Sequence, residues 1–177
     1  GAAAPGGWLG AVGPLFSSIF VHTEFLHFFV NAGFLLAFGA PVAQRMGVGV
    51  RGAPQGAANV RFLAFYLLAG LAGGLAFVAA HPQEVVFAKG ASGAISGLLG
   101  GALRFALSPL RERLDDPWRL VPLYDRRLLT AALVIVLLNV AIAFIPLFGM
   151  RIAGEAHIGG FLFGLLAFPL FALRRPR

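Results

Sequence analysis

Long apolar runs without a charged residue most constrain how this chain can fold. Four runs lack Asp, Glu, Lys and Arg: Phe25–Gln44, Phe62–Gln83, Leu128–Met150 and Ala156–Leu173. A helix needs roughly 20 apolar residues to cross a bilayer. A helix also pairs its backbone N–H and C=O groups internally, which the hydrocarbon core demands. Each run is therefore predicted to be a transmembrane helix.

A fifth apolar run, Gly90–Leu103, is shorter and continues through Arg104 to Leu110. The long Arg104 side chain is expected to reach the nearer membrane interface. The chain is thus predicted to be an all-α, polytopic transmembrane helix bundle of about five spans, forming one domain over residues 1–177. The spans are placed near residues 22–44, 60–81, 90–110, 127–148 and 155–174.

Composition and charge argue against a soluble protein. The chain is 59% hydrophobic and 12% charged, whereas soluble domains carry about 25% charged residues. A net charge of +7 is also found in nucleic-acid-binding proteins, but here the arginines lie between apolar runs instead of along one amphipathic face. The lipid bilayer is therefore the expected partner and nucleic acid is not. The lack of cysteine excludes disulfides and thiolate catalysis.

Basic residues are divided unevenly between the two ends of the predicted spans. If Phe25 marks an outer end, all of the 14 Lys and Arg residues except Lys89 and Arg151 fall on the inner side. Lys and Arg concentrate in cytoplasmic loops of membrane proteins. The C-terminus is therefore predicted to be cytoplasmic, and the first residues to lie outside.

Polar side chains lie mostly in the outer halves of the spans. They are His22, Glu24, His27, Asn31, Ser92, Ser96, Asn139, Glu155 and His157. Because a polar group facing lipid is costly, these side chains are expected to line a polar cavity that opens outward. For any one of them, an ordinary hydrogen bond between helices is an alternative explanation.

Metal binding is a weaker interpretation of the first histidines. His22, Glu24 and His27 resemble metal ligands, but they lack the two histidines four residues apart of the H-E-x-x-H motif. His27 and Asn31 are four residues apart, about 40° around a helix, and share a face. No metal and no cofactor are predicted.

Ser92 lies within Gly90-Ala-Ser-Gly93, at the outer start of the short span. Glycines recur at intervals of four in this span and in the last one, at Gly93, Gly97 and Gly101 and at Gly160 and Gly164. Such faces let helices approach closely. If the two faces pack together, Ser92 lies near His157, which is the minimal arrangement of an activated nucleophile.

No carboxylate is placed to make this pair a triad. Asp115, Asp116 and Asp125 belong to the predicted inner loop. Glu155 lies two residues from His157, about 200° around a helix, and points away. A Ser–His dyad is therefore predicted.

Three segments, taken in order, resemble the rhomboid family of intramembrane serine proteases. The stretch from His22 through His27 to Asn31 is similar to the family's H-x4-H-x3-N on its second helix. Gly90–Gly93 matches the G-x-S-G on its fourth helix, and Ala156–Gly164 matches the A-H-x-x-G-x3-G on its sixth. The resemblance runs from about residue 14 to the end of the chain.

The resemblance implies a role for each matched side chain. Ser92 is the nucleophile, and His157 takes its proton and later gives it to the leaving amine. His27 and Asn31, with the Ser92 backbone N–H, form the oxyanion hole. His22 supports the cavity behind them. The implied activity is cleavage of transmembrane segments of other membrane proteins near their outer ends, in a bacterial inner membrane.

The chain departs from the family pattern at three places. The family's first helix has no counterpart, so residues 1–21 are interpreted as an outer loop or a truncated N-terminus, and a core without one helix is expected. Ala43 stands where the family often has Glu. Ser96 stands where an aromatic residue often stacks on the catalytic histidine. The last two departures do not touch the dyad.

Two other functions fit parts of the pattern. A non-catalytic rhomboid-like chaperone or adaptor in the membrane usually lacks Ser or His of the dyad, and both are present here. A small transporter would need polar residues through the full membrane depth, but the inner halves of the spans hold almost none.

Catalysis by a dyad is expected to need neither a metal nor the Glu155 carboxylate. Chelators should leave cleavage of a transmembrane test substrate unchanged. Glu155→Gln should lower the rate by less than about tenfold, well short of the 10²–10⁴ usual for a lost acid–base group. Initial rates with and without chelator provide the measurement, and inactivation by chelator would contradict the prediction.

Overall fold

The computed structural model describes residues 13–21, 24–82, 89–144 and 152–173. The described residues are almost all helical or in turns, with no β-strand among them, which confirms the predicted all-α bundle. A helical segment over residues 13–17 and a 3-10 turn, Ser18–Phe20, come first. The helices that follow are α1 Phe25–Arg45, α2 Gln55–Ala80, α3 Ser92–Ala106, α4 Leu110–Asp115, α5 Arg126–Phe144 and α6 Gly154–Phe171.

Three helices of the described part, α1, α2 and α6, are long and apolar enough to cross a membrane. Each of them coincides with a predicted span. Helix α3 has 15 residues, which gives about 22 Å of length against a hydrocarbon core of about 30 Å. The crossing of the bilayer by α3 and α5 therefore stays a prediction.

The short helix α3 occupies the centre of the bundle. It contacts α1, α2, α5 and α6. Most of its residues are buried, and many of them are Gly or Ala. Because α3 is surrounded by other helices, its polar and small residues are removed from lipid by protein. The helix that begins with Ser92 is thus fixed in position from several sides.

Glycines bring α3 and α6 into backbone contact. A methyl group on Gly160 would collide with the carbonyl oxygen of Gly93, and one on Gly164 with the carbonyl oxygen of Gly97. The expected packing of the two glycine faces is therefore confirmed. Gly101 differs, because it faces the ring of Phe168, 2.9 Å from where a methyl group would stand.

Beyond the glycine contact, toward the C-terminal end of α3, the core is aromatic and aliphatic. Phe65 and Phe168 are fully buried and pack edge to face, with ring centroids 5.9 Å apart. Val42, Met46, Leu98 and Ala102 complete this cluster. The apolar cluster lies away from Ser92, which agrees with the scarcity of polar residues predicted for the inner halves of the spans.

The Arg104 side chain is buried between helices and the predicted inner loop, and its extension to the membrane interface stays a prediction. It is only 7% exposed. Its Nε donates a hydrogen bond to the carbonyl of Val121 at 3.0 Å, and its Nη1 donates to the carbonyl of Leu165 at 2.8 Å. Pro169 lies four residues after Leu165 and has no N–H, so the Leu165 carbonyl lacks its donor within α6. Arg104 supplies that donor from α3.

A second arginine holds the segment that follows α3 against the bundle. Arg45, the last residue of α1, donates to the carbonyls of Pro117 and Arg119. Its guanidinium also lies 4.7 Å from the centroid of the Phe105 ring, a cation–π distance. Together with Arg104, it ties the predicted inner loop to the ends of α1 and α3.

Replacing Arg104 is expected to destabilise the fold through the carbonyl that it satisfies. Arg104→Met should lower the free energy of unfolding by about 1–3 kcal/mol, because a buried carbonyl loses its partner. The same change in a Pro169→Ala background should cost less, since alanine restores the backbone N–H donor to the Leu165 carbonyl. Unfolding in detergent measures both, with the exposed Arg111→Met as control. Equal costs in the two backgrounds would contradict the explanation.

Candidate active site

Ser92 and His157 come from different helices and meet at one end of the bundle. Ser92 is the first residue of α3, and His157 lies in the first turn of α6. His157 Nε2 lies 2.8 Å from Ser92 Oγ, a hydrogen bond between two half-buried side chains. The structure therefore brings together the two residues that the sequence pairs. Ser96 lies one turn further along α3.

The other nitrogen of His157 also has a partner. His157 Nδ1 lies 2.8 Å from Oδ1 of Asn139, a half-buried residue of α5. The side-chain amide of Asn139 in turn donates to the carbonyl of Ile135 at 2.8 Å. From the sequence, Asn139 is predicted only to be one of the polar residues in the outer halves of the spans, without a partner. Its one available signal was an amide within an otherwise apolar run.

Glu155 is not the partner of His157. No hydrogen bond joins it to His157 in the described part of the chain, in keeping with its predicted direction. The chain of contacts is thus Ser92, His157, Asn139 and the Ile135 carbonyl, contributed by α3, α6 and α5. None of these side chains carries a formal charge when the imidazole is neutral.

His27 and Asn31 lie on one face of α1, as their spacing predicts, and both face Gly90. A methyl group on Gly90 would stand 2.7 Å from His27 Cε1 and 3.5 Å from Asn31 Nδ2. Gly90 also has a φ of +110°, which favours glycine. Any other residue there would displace His27. The two side chains therefore lie beside the segment that leads directly into Ser92.

Asn31 carries a buried donor without an acceptor among the described residues. The residue is 5% exposed, and its Nδ2 has no hydrogen-bond partner in that part of the chain. An unsatisfied buried polar group is rare in native proteins and costs about 1–3 kcal/mol. Asn31 also lines a largely apolar cavity of about 420 Å³, together with Ala91, Phe28 and Tyr66. The unsatisfied donor thus lies beside Gly90, in the segment that leads into Ser92.

Backbone donors add to this arrangement. The first four N–H groups of any helix have no acceptor within the helix, and Ser92 and Gly93 begin α3. The helix dipole also places partial positive charge at this end. An oxygen that acquires negative charge next to Ser92 would therefore meet N–H groups of the backbone.

Two remaining predictions about the site concern His22 and metal ions. His22 lies outside the described residues, and its supporting role stays a prediction. Glu24 is exposed and precedes the first residue of α1. Within the described ranges, no three His, Cys, Asp or Glu side chains are grouped so that they could hold a metal ion.

Comparison with known proteins covers nearly the whole chain. The Rhomboid domain family model matches residues 10–174. RHOMBOID-like protein 5 of Arabidopsis thaliana is 34% identical over 164 residues, which are 92% of this chain and 45% of that protein. Rhomboid protease GluP of Bacillus subtilis (strain 168) is 30% identical over 153 residues, 86% of this chain and 25% of that protein. The chain thus spans less than half the length of these curated relatives.

The unpaired donor of Asn31 gives a prediction that separates catalysis from stability. Asn31→Leu should lower kcat for a transmembrane test substrate by roughly 10²–10³, the effect of one lost oxyanion donor. It should leave the melting temperature unchanged or raise it, because an unsatisfied buried donor disappears. Kinetics and thermal unfolding in detergent measure the two effects. Asn59→Leu, at an exposed position of α2, is the matched control. Unfolding of Asn31→Leu with undiminished kcat would assign Asn31 a structural role.

Proposed function

Since this chain belongs to the rhomboid family of membrane proteins, as its three motifs predict, we propose that it is an intramembrane serine endopeptidase. It cleaves transmembrane segments of other membrane proteins, with Ser92 as nucleophile and His157 as general base. The observation that carries the proposal is the 2.8 Å hydrogen bond from Ser92 Oγ to His157 Nε2. This bond is the contact that activates a serine hydroxyl.

In the proposed reaction, Ser92 Oγ attacks the carbonyl carbon of the scissile peptide bond while its proton passes to His157 Nε2. The carbonyl π electrons move to the oxygen, which becomes the oxyanion of a tetrahedral intermediate. When this collapses, the C–N bond breaks and the leaving amine takes the proton from His157. Water then attacks the acyl-enzyme with His157 again as base, and Ser92 regains its proton.

The oxyanion of this intermediate is proposed to bind Asn31, His27 and the backbone N–H of Ser92. The support is the unpaired Nδ2 of Asn31 and the position of His27 and Asn31 beside Gly90. Donors held in place before reaction stabilise the developing charge without reorganisation, and one of them contributes about 2.7–4 kcal/mol. The cost of leaving Asn31 unpaired in the resting protein is thus recovered in the transition state.

The substrate is proposed to reach Ser92 laterally from the bilayer, between α1 and α5. The main contacts of α1 are with α2 and α3, and those of α5 are with α6 and α3. The outer turns of α1 are weakly packed, because Phe25 is 85% and Phe29 66% exposed. A helical segment that approaches here must unwind locally, since Ser92 can attack only an accessible peptide carbonyl.

The site is proposed to open toward the outer side of a bacterial inner membrane, with the C-terminus in the cytoplasm. The support is that basic residues lie at the end of the bundle opposite to the candidate site. Arg45, Arg104 and Arg126 lie at the ends of helices opposite to those that carry His27, Ser92 and Asn139. A site at the outer end also gives water a route to the acyl-enzyme.

Labelling of the active serine tests the proposal without knowledge of the natural substrate. A fluorophosphonate probe should label the detergent-solubilised protein, and the protein should cleave a transmembrane test substrate. Ser92→Ala should abolish labelling and lower cleavage by at least about 10³-fold, as expected for loss of a nucleophile. Ser96→Ala, one turn away, is the matched control and should retain both. If Ser92→Ala labels and cleaves like the wild type, the proposal fails. A folded wild type without either activity would favour the non-catalytic adaptor.

A further inference from the structure

We propose that Asn139 is a positioning residue that holds His157 in the one tautomer able to accept a proton from Ser92. The inference deepens the proposed function and rests on it. It makes the hydrogen-bonded unit a Ser–His–Asn series that spans α3, α6 and α5. The sequence predicts only the first two members.

The direction of each hydrogen bond follows from the last acceptor in the series. The carbonyl oxygen of Ile135 can only accept, so the group of Asn139 that lies 2.8 Å from it is the NH2. The carbonyl oxygen of the Asn139 side chain therefore faces His157. Since this oxygen also can only accept, Nδ1 of His157 must carry a proton.

A proton on Nδ1 decides the state of the other ring nitrogen. In a neutral imidazole one nitrogen carries the proton and the other has a free lone pair. With Nδ1 protonated, Nε2 accepts the hydrogen bond from Ser92 Oγ at 2.8 Å. This is the tautomer that a general base requires. In the other tautomer, the lone pair of Nδ1 would face the Asn139 oxygen at 2.8 Å, and the two acceptors would repel.

The location of Asn139 favours an amide over a carboxylate in this role. It lies within α5, and Ile135 and Val136 of the same helix pack against an apolar cluster that includes Phe161 and Leu165. An ionised carboxylate in such a place would be costly. A neutral amide orients the imidazole without adding a charge, and asparagine has this role beside the histidine of papain-like proteases. Asn139 is thus the third group of the series, at a position where the sequence offers no carboxylate.

Three variants separate an acceptor role from a packing role. Asn139→Leu keeps approximately the volume but removes the acceptor. Asn139→Asp keeps an acceptor for Nδ1–H, and as a neutral acid it can still donate to the Ile135 carbonyl. Thr130→Val, at an exposed polar position of the same helix, is the control for a change on α5.

Asn139→Leu should lower kcat and the fluorophosphonate labelling rate by about 10²-fold, the lower end of what acid–base catalysis contributes. KM should stay the same, because Asn139 touches His157 and not the substrate. Asn139→Asp should remain within about tenfold of the wild type, with the same readouts, since the acceptor is retained. Thr130→Val should behave as the wild type.

Nitrogen NMR of histidine-labelled protein reports the tautomer independently of activity. His157 should carry its proton on Nδ1 in the wild type and in Asn139→Asp, but should populate both tautomers in Asn139→Leu. Full kcat and an unchanged tautomer in Asn139→Leu would overturn the inference. Equal losses of kcat in Asn139→Leu and Asn139→Asp, together with lowered melting temperatures, would also overturn it. Such a result would indicate that Asn139 acts only through packing.

The same experiment distinguishes this inference from the proposed function. If Ser92→Ala is inactive while Asn139→Leu is fully active, the function stands and the role of Asn139 fails. If the folded wild type neither labels nor cleaves, the proposed function fails, and the role of Asn139 fails with it.

Discussion

The backbone contact between α3 and α6 sets the positions of the other helices and of the candidate site. At Gly160 and Gly164 the two helices approach so closely that a single methyl group would meet a carbonyl oxygen. Lipid replaces apolar side-chain contacts almost without loss, so association of helices in a membrane depends on such close packing. Ser92 and His157 stand at the same end of this contact, and their distance follows from it. A side chain larger than glycine at these positions would push α3 and α6 apart and so increase the distance between Ser92 and His157.

Three polar side chains around this contact differ in how their hydrogen-bonding groups are satisfied. Arg104 of α3 compensates for the N–H that Pro169 lacks, by donating to Leu165. Asn139 joins its own helix to His157 through both ends of its amide. Asn31 has no such partner for its Nδ2 within the described ranges. In a medium of low dielectric constant, an unpaired donor is costly. Its position beside Gly90, in the segment that leads into Ser92, is therefore more consistent with a role in binding than with a role in folding.

Much of the candidate site could be predicted from sequence because its members lie at regular intervals or in short motifs. His27 and Asn31 share a face by spacing, and the glycine repeats indicate which two helices pack together. The hydrogen-bond partners of Asn139 and Arg104 were not predicted. Their partners, His157 and Leu165, lie 18 and 61 residues away on other helices. No local pattern relates such positions, and the directions of their side chains depend on how the helices are rotated against each other.

Hydropathy and charge asymmetry are properties of the chain, so the all-helical membrane bundle follows from the sequence alone, and the three motifs identify the family. The sequence also determined which residues are chemically able to form a serine and histidine pair. Only the tertiary structure decided which side chain faces the second nitrogen of His157, and that Arg104 lies inside the bundle. The physical reason is that hydrogen bonds require atoms about 2.8 Å apart in a defined direction. Only the packed arrangement of α3, α5 and α6 sets those distances and directions.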